Sequence, residues 1–283
     1  MALHLPELQD DGLMTPEINP WGEEKYRLVW NYSNIFATSM KRKWRCRVYV
    51  DLFAGAGRSR IKGTKRIIPA SPMLALDVQD KFDKYIFCDV DGLKIEALKA
   101  RVLIDYPKVD VQYVPEDTNN SSNKILSLIP HGRTDFKVLT FCFVDPYKLE
   151  NISFDTIRKL SARYMDFLVL IPSGMDANRN ESHYTSAKNR TVDRFLGTST
   201  WREDWKTARL KRQAFGDFLT DAFGKEMTEL GYVYNGIEKT ELIRLTTKNV
   251  PLYRLAFFSR HPRGDEFWKE ARRYSKPQLD FPW

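Results

Sequence analysis

The sequence predicts an α/β fold: a mostly parallel seven-stranded sheet with helices on both faces and an antiparallel hairpin near the C-terminal end. Three observations carry this expectation. Strand-like and helix-like runs alternate between residues 47 and 171. The first strand runs into a glycine turn, Val48-Tyr49-Val50-Asp51-Leu52-Phe53-Ala54-Gly55-Ala56-Gly57. Two late strand-like runs are joined by Lys248-Asn249-Val250-Pro251, too short for a crossover helix, so they pair as a hairpin.

Residues 1–19 are polar and proline-bearing and read as an arm; residues 20–283 read as a single domain. Asn19-Pro20 is a cap followed by proline at the first helical position. Leu28, Tyr32, Ile35 and Phe36 recur at helical spacing, so residues 20–40 form an amphipathic helix. Arg47–Asp51 is the first strand, and Ser71-Pro72 opens a helix through Val78. Tyr85–Asp89 is the second strand, followed by a helix over Gly92–Tyr106 that Pro107 stops. Val111–Pro115 is the third strand and Asn120–Ile129 its helix. Val138–Val144 is apolar but for one Thr, as expected of a strand buried on both faces of a parallel sheet. Ser153–Ala162 is a helix and Phe167–Ile171 the fifth strand.

The pattern then changes. Residues 173–212 carry nine Lys or Arg together with Trp201 and Trp205, and read as a basic insertion of loops and short helices. Gln213–Leu230 is a helix ended by Gly231. Glu241–Thr247 and Leu252–Ser259 are the hairpin strands, and Asp265–Tyr274 is a last helix. Alternating βα units followed by a helix and a hairpin describe the Rossmann-like sheet of class I methyltransferases. A plain dinucleotide-binding fold would continue with a parallel sixth strand.

Composition narrows the classes. The chain of 283 residues is 42% hydrophobic, enough for a substantial core. No apolar run approaches the roughly 18 residues of a membrane span. The N-terminal residues lack the basic and apolar segments of a secretion signal. Cys46, Cys88 and Cys142 are widely spaced and read as reduced, buried residues of a cytoplasmic protein. His4, His131, His183 and His261 show no metal-ligand spacing and read as surface residues. The net charge of +8 favours an acidic partner. Residues 41–66 hold ten Lys or Arg and a single acid, an excess read as flanking the glycine turn on both sides. Nucleic acid is the expected partner, with Arg58 and Arg60 touching it.

The candidate site lies at the carboxyl ends of the strands, where open α/β sheets bind ligands. Asp51 ends the first strand, Asp89 the second, Asp117 follows the third and Asp145 ends the fourth. A carboxylate before glycines suits a cationic or hydroxylated ligand better than a phosphate, which points to the amino acid end of S-adenosylmethionine. Asp51, Phe53, Ala54, Gly55 and Gly57 are expected at that end, Asp89 at the ribose hydroxyls and Asp117 at the adenine amino group. Asp91 reads as a helix cap. Asp145-Pro146-Tyr147 resembles the Asp-Pro-Pro-Tyr motif of amino-methyltransferases with one proline missing. There the acid and a proline carbonyl accept from the target amine and the aromatic ring stacks on the base. Asp176, Asn178, Arg179 and Asn180, after the fifth strand, are expected to meet substrate.

Asp51–Gly57, Ala70-Ser71-Pro72-Met73-Leu74-Ala75-Leu76, Tyr85–Asp91, Phe143–Tyr147 and Ile171–Asn180 together resemble the three-Cys-motif partner protein family over about residues 20–260. Ala56 stands where many members have proline, and Ala70 where glycine is common. The resemblance implies a methyltransferase-like fold and a genomic partner similar to radical S-adenosylmethionine proteins. It leaves two expectations: a methyltransferase acting on nucleic acid at an exocyclic amine, or a non-catalytic module working with that partner.

Overall fold

The computed structural model describes residues 5–245, 249–261 and 263–275. In chain order the elements are β1 (Glu17–Ile18), α1 (Gly22–Met40), β2 (Cys46–Asp51), β3 (Arg58–Ile61), β4 (Ile67–Pro69), α2 (Ser71–Asp77), β5 (Lys84–Cys88), α3 (Gly92–Asp105) and β6 (Val111–Val114). There follow α4 (Ser122–Leu128), β7 (Val138–Val144), α5 (Phe154–Leu160), β8 (Met165–Ile171), α6 (Glu181–Thr185), α7 (Thr191–Leu196) and α8 (Trp201–Leu210). The chain continues with α9 (Phe215–Glu229), β9 (Glu241–Leu245), β10 (Val250–Phe258) and α10 (Arg263–Ser275).

Seven strands form one sheet in the order β6-β5-β2-β7-β8-β10-β9. The first five are parallel, and β10 lies antiparallel between β8 and β9. This is the predicted class, including the closing hairpin. Thr246, Thr247 and Lys248 of that hairpin, like His4, fall outside the described residues. Strand order reverses between β2 and β7, where Asp51 pairs in register with Phe143. All seven residues of β7 are buried, so its apolar run meets a core on each side.

On one face α1, α2, α3 and α10 pack over Tyr49, Phe141, Leu168 and Phe257. On the other, α4, α5, α7, α8 and α9 pack over Val50, Cys142, Phe167 and Phe258. The basic insertion contributes to this second core, because Trp201 and Trp205 are both buried in it. Cys46, Cys88 and Cys142 are buried free thiols. His131, His183 and His261 are exposed. No helix among the described residues is long and apolar enough to cross a membrane.

A second, three-stranded sheet, β1-β3-β4, was not legible in the sequence. It grows out of the glycine turn and takes in the N-terminal segment. Ile18 pairs with Ile61, and Leu8 bridges to Ile67. Arg101 of α3, only 1% exposed, clamps the segment: its guanidinium donates to both carboxylate oxygens of Asp11 at 2.7 and 2.8 Å, to Thr15 Oγ1 at 2.9 Å and to the Ala56 carbonyl at 2.6 Å.

The basic excess of residues 41–66 divides between two places. Lys41–Arg45 precede β2 and lie at the amino ends of the strands. A six-residue strand separates them from the glycine turn, a span of about 20 Å. The expectation that they flank the turn is therefore corrected.

Candidate functional site

The turn after β2 is held from below and from the side. Asp51 is fully buried, and its Oδ1 accepts from the Phe53 amide at 3.1 Å. Burial pushes its carboxyl up to about 7, against hydrogen bonds from Ser71 and Phe53 that stabilise the charge. Gly55 and Gly57 both take left-handed conformations, φ +63° and +82°, that favour glycine. A Cβ on Gly57 would lie 2.7 Å from Leu98 Cδ1, whereas one on Gly55 would enter open space. Gly57 is thus a packing glycine, and Gly55 leaves room.

Asp89 reaches across from β5. Its Oδ2 accepts from the Gly55 amide at 2.8 Å and its Oδ1 from the Asp91 amide at 2.9 Å. Asp91 caps α3, accepting from the Leu93 amide at 3.0 Å. Asp117 accepts from the Asn119 amide at 2.9 Å in a tight turn and lines the cleft.

These residues line a cleft of about 550 Å³. Phe53, Ala54, Gly55, Asp89, Asp117, Asp145 and Tyr147 all contribute, joined by Tyr26 of α1, Ser59 of β3 and Ile18 of β1. The predicted acids of β5, β6 and β7 are thus brought together. Asp51 and Gly57 are not at the surface of the cleft; they shape it from behind. The volume lies within the range of small-molecule sites.

At the β7 end the side chains differ sharply in exposure. Pro146 is buried, Tyr147 is 68% exposed at the mouth, and Asp145 is largely shielded. Asp145 Oδ2 accepts from Lys25 Nζ of α1 at 2.6 Å, with side-chain exposures of 16% and 9%. Burial favours the neutral amine, but Asp145 and Tyr26 beside it outweigh burial and raise the pKa of Lys25 above the usual lysine value. Lys25 escaped the sequence reading, although a signal was present. It sits three residues before Leu28 and seven before Tyr32, on the apolar stripe of α1, where a lysine needs a buried partner.

Other predicted site residues serve the fold. Asp176 is 6% exposed and accepts from the Leu149 amide, Asn180 Nδ2 and the Tyr184 hydroxyl at 2.8, 2.9 and 2.8 Å. It ties the turn after β7 to the segment after β8. Asn178 Oδ1 accepts from the Gly216 amide at 2.7 Å, capping α9. Asp176 is thus buried and engaged within the chain, while Asn178, Arg179 and Asn180 are exposed, the two asparagines with hydrogen bonds inside the chain. Arg60 pairs with Asp10 at 2.7 Å, and Arg58 with Asp11 at 3.1 Å and Asp105 at 3.5 Å. Both arginines pair with acids of the chain itself, most of them on the N-terminal segment. No group of three or more His, Cys, Asp or Glu side chains converges as metal donors among the described residues.

No family model matches the chain, and no curated protein matches it. Among solved structures, it is similar to a Legionella pneumophila protein of the DUF519 family, at 12% identity, covering 89% of this chain and 94% of that one with a TM-score of 0.48. It is also similar to magnesium protoporphyrin IX methyltransferase from Synechocystis with bound SAH, at 9% identity, 83% of each chain and a TM-score of 0.43. A third likeness is to Trm1 from Pyrococcus horikoshii in complex with S-adenosyl-L-methionine, at 10% identity, 93% of this chain and 63% of that one, with a TM-score of 0.45. At these scores the sheet order itself defines the fold.

Proposed function

We propose that the protein is an S-adenosylmethionine-dependent methyltransferase whose substrate is a nucleic acid, methylated at an exocyclic amine. One observation carries the reading. A single cleft gathers a left-handed glycine and three strand-end carboxylates, spaced along one edge as a long ligand with an amine, a diol and a heterocycle needs. When bound, S-adenosylmethionine supplies an electrophilic methyl group. The open space at Gly55 fits its amino acid end, Asp89 has acceptor capacity for the ribose hydroxyls, and Asp117 for the adenine amine.

On the substrate side, Tyr147 offers an exposed ring for a base taken out of its stack. Asp145 accepts an N–H of the target amine. The Lys25 ammonium holds the Asp145 carboxyl group in place, with its second oxygen available as an acceptor that orients the amine. Methyl transfer needs alignment and charge complementarity more than covalent help, and this rigid pair supplies both. Arg179, Lys62 and Lys65 are exposed and carry no ion pair among the described residues, which suits contact with a phosphate backbone. Buried, unpaired thiols suit a reducing cytoplasm.

A second reading rests on the same ion pair. A carboxylate already held by a lysine suits a methyltransferase-like module that binds ligand without turnover, beside a three-Cys-motif partner protein. A labelled-methyl assay over DNA, RNA and that partner separates the two. Transfer that disappears in Asp145→Ala supports the enzyme; ligand binding without transfer to any of them supports the module.

A further inference from the structure

At the opposite edge of the sheet, where the strands begin, lies a second cavity of about 290 Å³. Asp166 of β8, Leu139 of β7 and Ser259 just after β10 line it, with Met40 of α1 and Phe267 of α10. Trp44 and Tyr164 both line it, their rings stacked on one another at 5.1 Å and 30°, which leaves an outer ring face for a ligand. Lys43 and Lys137 stand exposed at the rim.

Asp166 is the anomaly. It interrupts the apolar run Met165-Asp166-Phe167-Leu168-Val169-Leu170-Ile171 and is 7% exposed. Its Oδ1 is buried with no hydrogen-bond partner. Ser259 hydrogen-bonds to the carboxyl group. Arg260 is close, but its guanidinium donates to the carbonyls of Ser161, Arg163 and Leu230. A buried carboxylate oxygen without a donor is costly, and nothing in the sheet requires an acid here. Asp166 lines the cavity, and a ligand donor there meets its carboxyl group once the side chain turns toward it.

The surroundings define that ligand. An aromatic wall selects a flat ring. Its exposed lining is cationic, since Lys43 and Lys137 have no ion pair among the described residues, and Arg42 and Arg45 flank Lys43 and Trp44 in the chain. The ligand therefore carries its donors inward and its negative charge outward, which is the layout of a nucleotide. In its ionised form the Asp166 carboxylate only accepts. Guanine presents two adjacent donors on its Watson–Crick edge, while the other bases set an acceptor beside their donor.

We propose that this cavity binds a guanine nucleotide, its base edge on Asp166, its ring against Trp44 and its phosphate at Lys43 and Lys137. The site is independent of the methyltransferase reading, because cavity and cleft lie at opposite edges of the sheet.

Titration of the full chain with GMP, AMP and UMP, followed by Trp fluorescence and calorimetry, tests it. GMP is expected to bind at least about tenfold more tightly than AMP or UMP, as a bidentate base contact provides. Asp166→Asn should erase most of that preference without altering S-adenosylhomocysteine binding. Should Asp166→Asn fail to fold, the exposed pair Lys43→Ala and Lys137→Ala must weaken GMP while leaving guanosine unchanged. A short single-stranded RNA with one guanine, compared with its adenine counterpart, distinguishes a strand from a free nucleotide as the source. Binding of either guanine form with this pattern upholds the site. No GMP or RNA binding to about millimolar, or binding indifferent to the base, overturns it.

Discussion

Lys25 Nζ and Asp145 Oδ2 lie 2.6 Å apart, joining the N-terminal helix to the end of the central strand β7. The pair closes one end of the cleft that also holds Gly55, Asp89 and Asp117. It makes α1 part of the site as well as a cover for the sheet.

Replacing Lys25 with Met leaves Asp145 shielded without its cation. Breaking a buried pair from one side costs about 3 kcal/mol. Urea denaturation of Lys25→Met should show a loss of that order, and methyl transfer should fall along with it. Unchanged stability would show that the pair is solvated and carries no such role.

The two glycines of the turn should respond differently to alanine. Gly55→Ala meets only backbone strain, a cost of about 1 kcal/mol, but its methyl group enters the cleft. Gly57→Ala adds a clash with Leu98 and Met73. Ligand affinity should therefore suffer most in Gly55→Ala and thermal stability most in Gly57→Ala. The reverse ranking would mean that the ligand approaches the turn from elsewhere.

Arg101→Ala should release the N-terminal segment. Asp11 loses the partner that, with Arg58, holds its carboxyl down at about 2, and the Ala56 carbonyl loses its donor. The expected cost is about 3 kcal/mol, as for other buried arginine pairs. Limited proteolysis should cut within residues 5–18 far sooner than in the parent. Equal protection would show that β1 pairing alone holds the segment.

Asp51 and Asp166 give stability a pH dependence. Burial raises both carboxyls to about 7, whereas in the unfolded chain they titrate near 3.9. Between those values the folded state holds protons that the unfolded state has lost. Stability therefore falls as pH rises from about 4 toward about 7 and levels off above it. Carboxyls held low, such as Asp11, act only below this window. Denaturation at about pH 5 and about pH 7.5 should show that loss, and Asp166→Asn should lose less. Identical losses would mean that Asp166 is hydrated in the folded state.

The parallel sheet was legible because βα alternation and the apolar run of β7 both follow from burial on two faces. The strand-end acids were legible for the same reason, since a strand's last residue marks the ligand edge. Pairings distant in sequence were not. Asp10 with Arg60 and Asp11 with Arg101 join the N-terminal segment to β3 and α3 across 50 and 90 residues of sequence. Asp176 looked like a substrate residue because its partners, Leu149 and Tyr184, come from segments that meet only in the fold. The sheet β1-β3-β4 is built from strands of two to four residues, too short for periodicity to reveal.

The proposed function stands on S-adenosylmethionine binding in the cleft at the ends of β2, β5 and β7. Calorimetric titration with S-adenosylhomocysteine, on the parent, Asp89→Ala and Asp145→Ala, tests it most directly. Saturable binding by the parent is expected, with a loss of tenfold or more in Asp89→Ala and a change within about tenfold in Asp145→Ala, whose proposed role is toward the substrate. No binding by the parent up to about millimolar, or affinity untouched by Asp89→Ala, would contradict it.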